Sequence, residues 1–201
     1  ENDGPIPVTD QDSVVLTQRN VLNYNFKVKS GESITDTGNN WLGLSNDGWG
    51  DKTVANLTLA TGGEIDVGYI SARGNNATLF PTFTIEHGAT LTTDSINDGT
   101  RPIDYIWKAG SDSVTTWNTG DATIGATIVT VELANYTVVG ASSLTLVNYS
   151  GTLTGEFASA TVTDGGTTLI NGVDYTLDYT TDTNITLNLI PEPGTYALIG
   201  G

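Results

Sequence analysis

The sequence predicts an all-β protein, and three observations carry that expectation. Apolar residues alternate with polar ones over short runs, with no sustained i, i+3, i+4, i+7 pattern. Clusters of Gly, Asn and Asp punctuate those runs as turns do, and 24 glycines in 201 residues break most helical windows. A short motif also recurs along the first half of the chain. Its form is apolar, any residue, apolar, two residues, Gly, two residues, apolar. Stacked units of this kind predict a β-solenoid; a set of unrelated β-hairpins in a β-sandwich is the alternative.

Residues 1–20 read as an extended N-terminal arm. Glu1 to Asp12 carries Pro5 and Pro7 and no core pattern. Val14, Val15 and Leu16, with Ser13 before them, form a short strand candidate within the arm.

Residues 21–120 read as the solenoid body. The motif occurs at Phe26, Val28, Gly31 and Ile34, then at Leu57, Leu59, Gly62 and Ile65, then at Phe83, Ile85, Gly88 and Leu91. A fourth copy, Tyr105, Trp107, Gly110 and Val114, fits with one extra residue before its last position. The glycines are 31, 26 and 22 residues apart. Each unit is expected to be two short strands joined at a glycine corner, where φ is positive. Alternation sends the apolar pair to one face, and stacking the units buries a continuous stripe that no single unit can bury.

Between the copies lie Gly/Asn-rich loops, such as Gly38 to Asp51, and Val67-Gly68-Tyr69-Ile70-Ser71 followed by Ala72 to Asn76. In this texture residues 26 to about 114 resemble the right-handed parallel β-helix bodies of PEP-CTERM and autotransporter-passenger-like proteins. The resemblance implies fold more than activity.

Residues 121–190 change character and read as a C-terminal β module. Ala126–Leu133, Ser142–Val147, Phe157–Val162, Thr167–Ile170, Tyr175–Tyr179 and Ile185–Leu189 are strand candidates, with turn signals at Asp164-Gly165-Gly166 and Asn171-Gly172. The expectation is a β-meander. It resembles the closing module that caps β-helices, whose open ends otherwise template aggregation.

A net charge of −16, from 7 basic and 23 acidic residues, argues against nucleic acid or an anionic membrane as partner. With no Cys there is no disulfide framework, and compartment is not legible from thiols. No Met is present either, so a removed secretory signal peptide is expected upstream of Glu1. No run of about 18 apolar residues occurs, and no spanning helix is expected. Asn-x-Ser/Thr sequons at Asn56, Asn76, Asn135, Asn148 and Asn184 follow from the abundance of Asn and Thr.

Catalysis by a glycan-cleaving β-helix needs clustered carboxylates, or carboxylates with Arg or Lys, on one face. Asp47, Asp51, Asp66, Glu86, Asp94, Asp98, Arg73, Arg101 and Lys108 are the candidates. Most sit beside Gly or Asn, where Asp serves turns through its own backbone hydrogen bonds. His87, the single histidine, precedes a corner glycine and is expected at an exposed bend. Serine triads, Cys–His pairs and zinc sites therefore have little to build on. No catalytic residue and no cofactor is assigned. Calcium is the one cation the turns suit, through Asp47, Asp51 and Asp98, although neither an EF-hand loop nor a Gly-Gly-x-Gly-x-Asp repeat is present. Trp107 fits the inward pattern. Trp41 and Trp49 flank a polar turn, where they suit stacking on a sugar or a neighbouring subunit, or packing on the adjacent unit.

The chain ends Pro191-Glu192-Pro193-Gly194-Thr195-Tyr196-Ala197-Leu198-Ile199-Gly200-Gly201. Two prolines lack an N–H, so the segment leaves the preceding sheet. These residues resemble the start of the PEP-CTERM sorting signal, with Pro191, Glu192 and Pro193 as its motif; the basic cluster of that signal is missing here. The resemblance implies export from a Gram-negative bacterium, handling by an exosortase, and a secreted, extracellular or outer-surface location.

The function expected is that of an exported, non-catalytic structural protein of a bacterial surface or extracellular matrix. Self-association into a homo-oligomer or filament follows if Thr195, Tyr196, Ala197, Leu198 and Ile199, or Val14 to Leu16, supply a strand to a neighbour. The rivals are a carbohydrate-binding or glycan-cleaving module of an exopolysaccharide matrix, and a cell-anchored adhesin.

Overall fold

A computed structural model of the chain describes residues 13–22, 24–37, 40–45, 54–73, 79–97, 102–134, 136, 142–180 and 183–191. Nineteen strands and no helix occur among them. The strands are β1 (Ser13–Leu16), β2 (Asn20–Leu22), β3 (Phe26–Val28), β4 (Ser33–Asp36), β5 (Trp41–Ser45), β6 (Leu57–Leu59) and β7 (Glu64–Val67). Next come β8 (Tyr69–Arg73), β9 (Thr82–Glu86), β10 (Thr90–Asn97), β11 (Asp104–Lys108), β12 (Trp117–Thr123) and β13 (Ile128–Glu132). The last are β14 (Ser142–Tyr149), β15 (Leu153–Thr154), β16 (Ser159–Asp164), β17 (Thr167–Thr168), β18 (Tyr175–Asp178) and β19 (Asn184–Leu189).

They form three sheets. A nine-stranded sheet runs β1-β4-β7-β10-β12-β14-β19-β18, with β15 also paired to β12. A seven-stranded sheet runs β17-β16-β13-β11-β9-β6-β3, and a three-stranded sheet runs β2-β5-β8. The chain therefore visits the three sheets in turn, three times over, from β1 to β9. After β9 it passes mainly between the two larger sheets. Every pairing from β1 through β14, and from β3 through β16, is parallel.

Alternation explains the core. In the seven-stranded sheet, Val28, Leu59, Ile85, Trp107, Val131 and Val162 lie in one register row. Each is at most 1% exposed. In the nine-stranded sheet, Ile34, Ile65, Leu91, Trp117, Val147 and Ile185 form the matching row. The rows meet where the Trp107 and Trp117 rings approach to 6.5 Å between centroids. Burying one Leu or Ile contributes about 1.5–3 kcal/mol, so a three-residue strand gains little until its neighbours stack on it.

The glycine corners fall where the motif places them. Gly31, Gly62 and Gly88 have φ of 80°, 75° and 78°. They stack through hydrogen bonds from the Gly31 N–H to the Gly62 carbonyl (2.9 Å) and from the Gly62 N–H to the Gly88 carbonyl (3.0 Å). Side chains tie the same turns of chain together. Asn25 Oδ1 accepts from the Asn56 N–H, and Asn56 Oδ1 accepts from Thr82.

The fourth copy of the motif differs. Leu91 pairs with Trp117, not with Val114, and Gly110 is not among the positive-φ glycines. The reason is local. A Cβ on Gly110 would run into the His87 ring, and the Gly110 N–H donates to the Ser113 carbonyl, so a wider turn precedes β12.

The change in composition near residue 121 does not coincide with a change in pairing. Parallel pairing continues through β13, β14 and β16. Antiparallel pairing begins only with β16–β17, β14–β19 and β18–β19. These closing strands do not form one meander: β17 ends the seven-stranded sheet, and β18 ends the nine-stranded sheet. The turns use Gly165, Gly166 and Gly172, all at positive φ.

Candidate functional site

An open groove of about 660 Å³ lies over β10, β12, β14 and β19. Register builds it. Thr92, Asn118, Asn148 and Asn184 occupy successive positions across the four strands. Asn118 and Asn148 are exposed, and the Asn148 amide donates to Asn118 Oδ1 at 3.1 Å. Asp94, Gly120, Ser150 and Thr183 complete much of the lining. Gly120 is required there because a Cβ would collide with the Asp94 carbonyl oxygen.

Beneath the groove the next residues point inward. Thr93 and Thr119 are 2% and 7% exposed. The Thr93 hydroxyl donates to Thr119 Oγ1 at 3.1 Å, and the Trp117 indole N–H donates to Thr93 Oγ1 at 2.9 Å. A buried polar chain with its partners in place holds its strands rigidly.

Trp41, a candidate for stacking on a sugar or subunit, is 2% exposed. Its ring stacks on Tyr69 at 6.0 Å, and the Arg73 guanidinium lies 3.9 Å from its centroid. The indole leans over Gly43, where a side chain would strike it. Trp41 is thus packed within its own chain. Trp49, Asp47, Asp51, Asp98, Arg101, Glu192, Pro193 and Thr195 to Ile199 lie outside the described residues. Pro191, half-buried, follows the last strand by one residue. Val14, Val15 and Leu16 are part of β1, paired with Ile34, Thr35 and Asp36.

The candidate acids are distributed. Asp66 and Asp94 belong to the nine-stranded sheet, and Asp94 faces the groove. Glu86 is on the seven-stranded sheet, 3.8 Å from Lys27 Nζ, with Lys108 beside it in register. Among the described residues no three His, Cys, Asp or Glu side chains group to hold a metal ion.

His87 Nε2 lies 3.2 Å from Ser113 Oγ, and that hydroxyl donates to Asp112 Oδ1 at 3.0 Å. The carboxylate holds the serine instead of orienting the imidazole, so the contact lacks the geometry that activates a nucleophile. It joins two neighbouring turns.

Shifted pKa values lie away from the groove. Burial pushes the Asp104 carboxyl up, partly offset by a hydrogen bond from the Thr130 hydroxyl. The Thr180 hydroxyl and N–H hold Asp178 below the usual carboxylate range. The Lys29 N–H does the same for Glu32.

The asparagine row escaped the sequence reading. Its signal was the recurrence of Asn-Thr-Gly-Asp at 118–121 and Asn-Tyr-Ser-Gly at 148–151, each starting one residue after an inward apolar position. Comparison with protein-family models, curated proteins and solved structures finds no match.

Proposed function

We propose that the protein is an exported, non-catalytic structural component of a Gram-negative bacterial surface or extracellular matrix. Its body is a right-handed parallel β-helix closed at one end by β17 to β19, and copies join head to tail into filaments. One observation carries this reading. The terminal strands of all three sheets at one end, β1, β2 and β3, come from the same N-terminal stretch and pair on one side only among the described residues. The other end of the seven-stranded sheet finishes in β17, only two residues long, and so short an edge strand offers little for further addition.

The segments proposed to meet are Thr195 to Ile199 of one copy and Val14 to Leu16 of the next. An added strand gains main-chain hydrogen bonds, and a contact that does not close on itself propagates as a fibre. Pro191-Glu192-Pro193 supports handling by an exosortase on the way out. The rung-to-rung work done by Asn25, Asn56 and Asp36 supports a load-carrying role for the polar residues. No cofactor is part of the proposal.

Deleting residues 195–199 and residues 14–16 in separate variants, then imaging particles by electron microscopy, tests it. Filaments from the intact chain that are lost in either deletion are expected. Filaments persisting in both deletions, or none from the intact chain, reject the proposal.

A further inference from the structure

We propose that the groove over β10, β12, β14 and β19 binds a linear, uncharged glycan laid across the strands. The inference stands whether or not copies join end to end. Thr92, Asn118, Asn148 and Asn184 repeat once per strand, so their side chains recur about every 4.8 Å. That step is close to the advance of one pyranose in an extended glycan, and one polar group meets each sugar.

The chemistry of the row fits hydroxyl groups. A primary amide offers two donors and two acceptor lone pairs. The Asn118–Asn148 hydrogen bond uses one donor of Asn148 and one lone pair of Asn118. The two amides hold each other in a fixed pose and keep hydrogen-bonding capacity for vicinal sugar hydroxyls. The buried Trp117–Thr93–Thr119 chain pins the floor below. A row ordered in advance loses less conformational freedom on binding, which leaves more of the contact energy as affinity.

Charge selects against acidic polymers. Asp94 is the charged residue of the lining, and the chain carries −16 overall, so a polyuronate is repelled. The lining also presents little aromatic ring face. Its aromatic residue, Tyr149, is only 7% exposed, so the groove engages hydroxyl edges and not ring faces.

Calorimetric titration of the intact chain with cellohexaose, and separately with a hexamer of galacturonate, is the test. Saturable binding of cellohexaose is expected, at least tenfold weaker in Asn118→Ala, with little uptake of the galacturonate hexamer. Thr58→Ala, on the seven-stranded sheet, keeps the parental affinity. Amide NMR on the unmutated protein locates the contact even if Asn118→Ala unfolds, with shifts expected at the Asn118 and Asn148 side-chain NH₂ signals. Absence of saturable binding, preference for the acidic hexamer, or shifts confined to the seven-stranded sheet overturns the assignment.

Discussion

At the level of single residues, glycines show what the backbone demands. Gly31 has φ +80°, and a Cβ there would meet nothing within 4 Å, so Gly31→Ala isolates the cost of a left-handed backbone. A loss of about 1–2 kcal/mol is expected in denaturant melts. Gly120 is different: its Cβ would meet the Asp94 carbonyl oxygen, a backbone atom that cannot rotate away. Gly120→Ala is expected to cost about as much as other overpacked sites, 1–3 kcal/mol, and to distort the groove wall as well. Asp104 makes a pH prediction. Burial raises its folded pKa above the unfolded value, so the folded state binds the extra proton in the window between them. Its contribution to stability is best below the unfolded pKa and is lost as pH rises through the folded pKa. Asp104→Asn, which still accepts from Thr130, should raise the melting temperature at pH 7 and lose that advantage at pH 3. A variant equally stabilised at both pH values contradicts the desolvation argument.

Between elements, the strongest test is the polar link under the groove. Thr93→Val leaves the Trp117 indole N–H buried without its acceptor, at a cost of about 1–3 kcal/mol. In a Trp117→Phe background the same substitution should cost clearly less, with a coupling of at least about 0.5 kcal/mol in a double-mutant cycle. Additive losses mean the two side chains do not act together. This level is also where the sequence was most and least legible. The rows through Val28, Leu59 and Ile85, and through Ile34, Ile65 and Leu91, were readable because alternation and corner glycines repeat together. The next step failed because Gly110 serves a close approach to His87 and not a left-handed corner, which moves the inward residue from Val114 to Trp117. The asparagine row was hidden for another reason. Asn also marks turns, and only the register of β12 on β14 shows that Asn118 and Asn148 stand side by side. Trp41 was legible only as a choice between stacking on a ligand or subunit and packing on the adjacent unit. Register decides for packing, because Tyr69 and Arg73 come from a strand 28 residues later.

For the whole molecule, the all-β class with parallel sheets was legible from period and turn chemistry. The point where pairing turns antiparallel was not, because composition shifts near 121 while the ladder continues through β16. The proposed head-to-tail assembly depends on what the first strand offers a neighbour. Val15 is 52% exposed, and its strand pairs with β4. The Leu16 carbonyl accepts from the Thr37 N–H on that side, so alternation turns the N–H and carbonyl of Val15 to the opposite edge. Proline at position 15 removes a donor from the outer edge and leaves the β4 pairing intact, a placement that edge strands accept. The decisive measurement is electron microscopy of the intact chain beside Val15→Pro at equal concentration, with circular dichroism to confirm that both are folded. Unbranched filaments from the intact chain and separate particles from the variant are predicted. Separate particles from both, or filaments of equal length from both, contradict head-to-tail growth through β1.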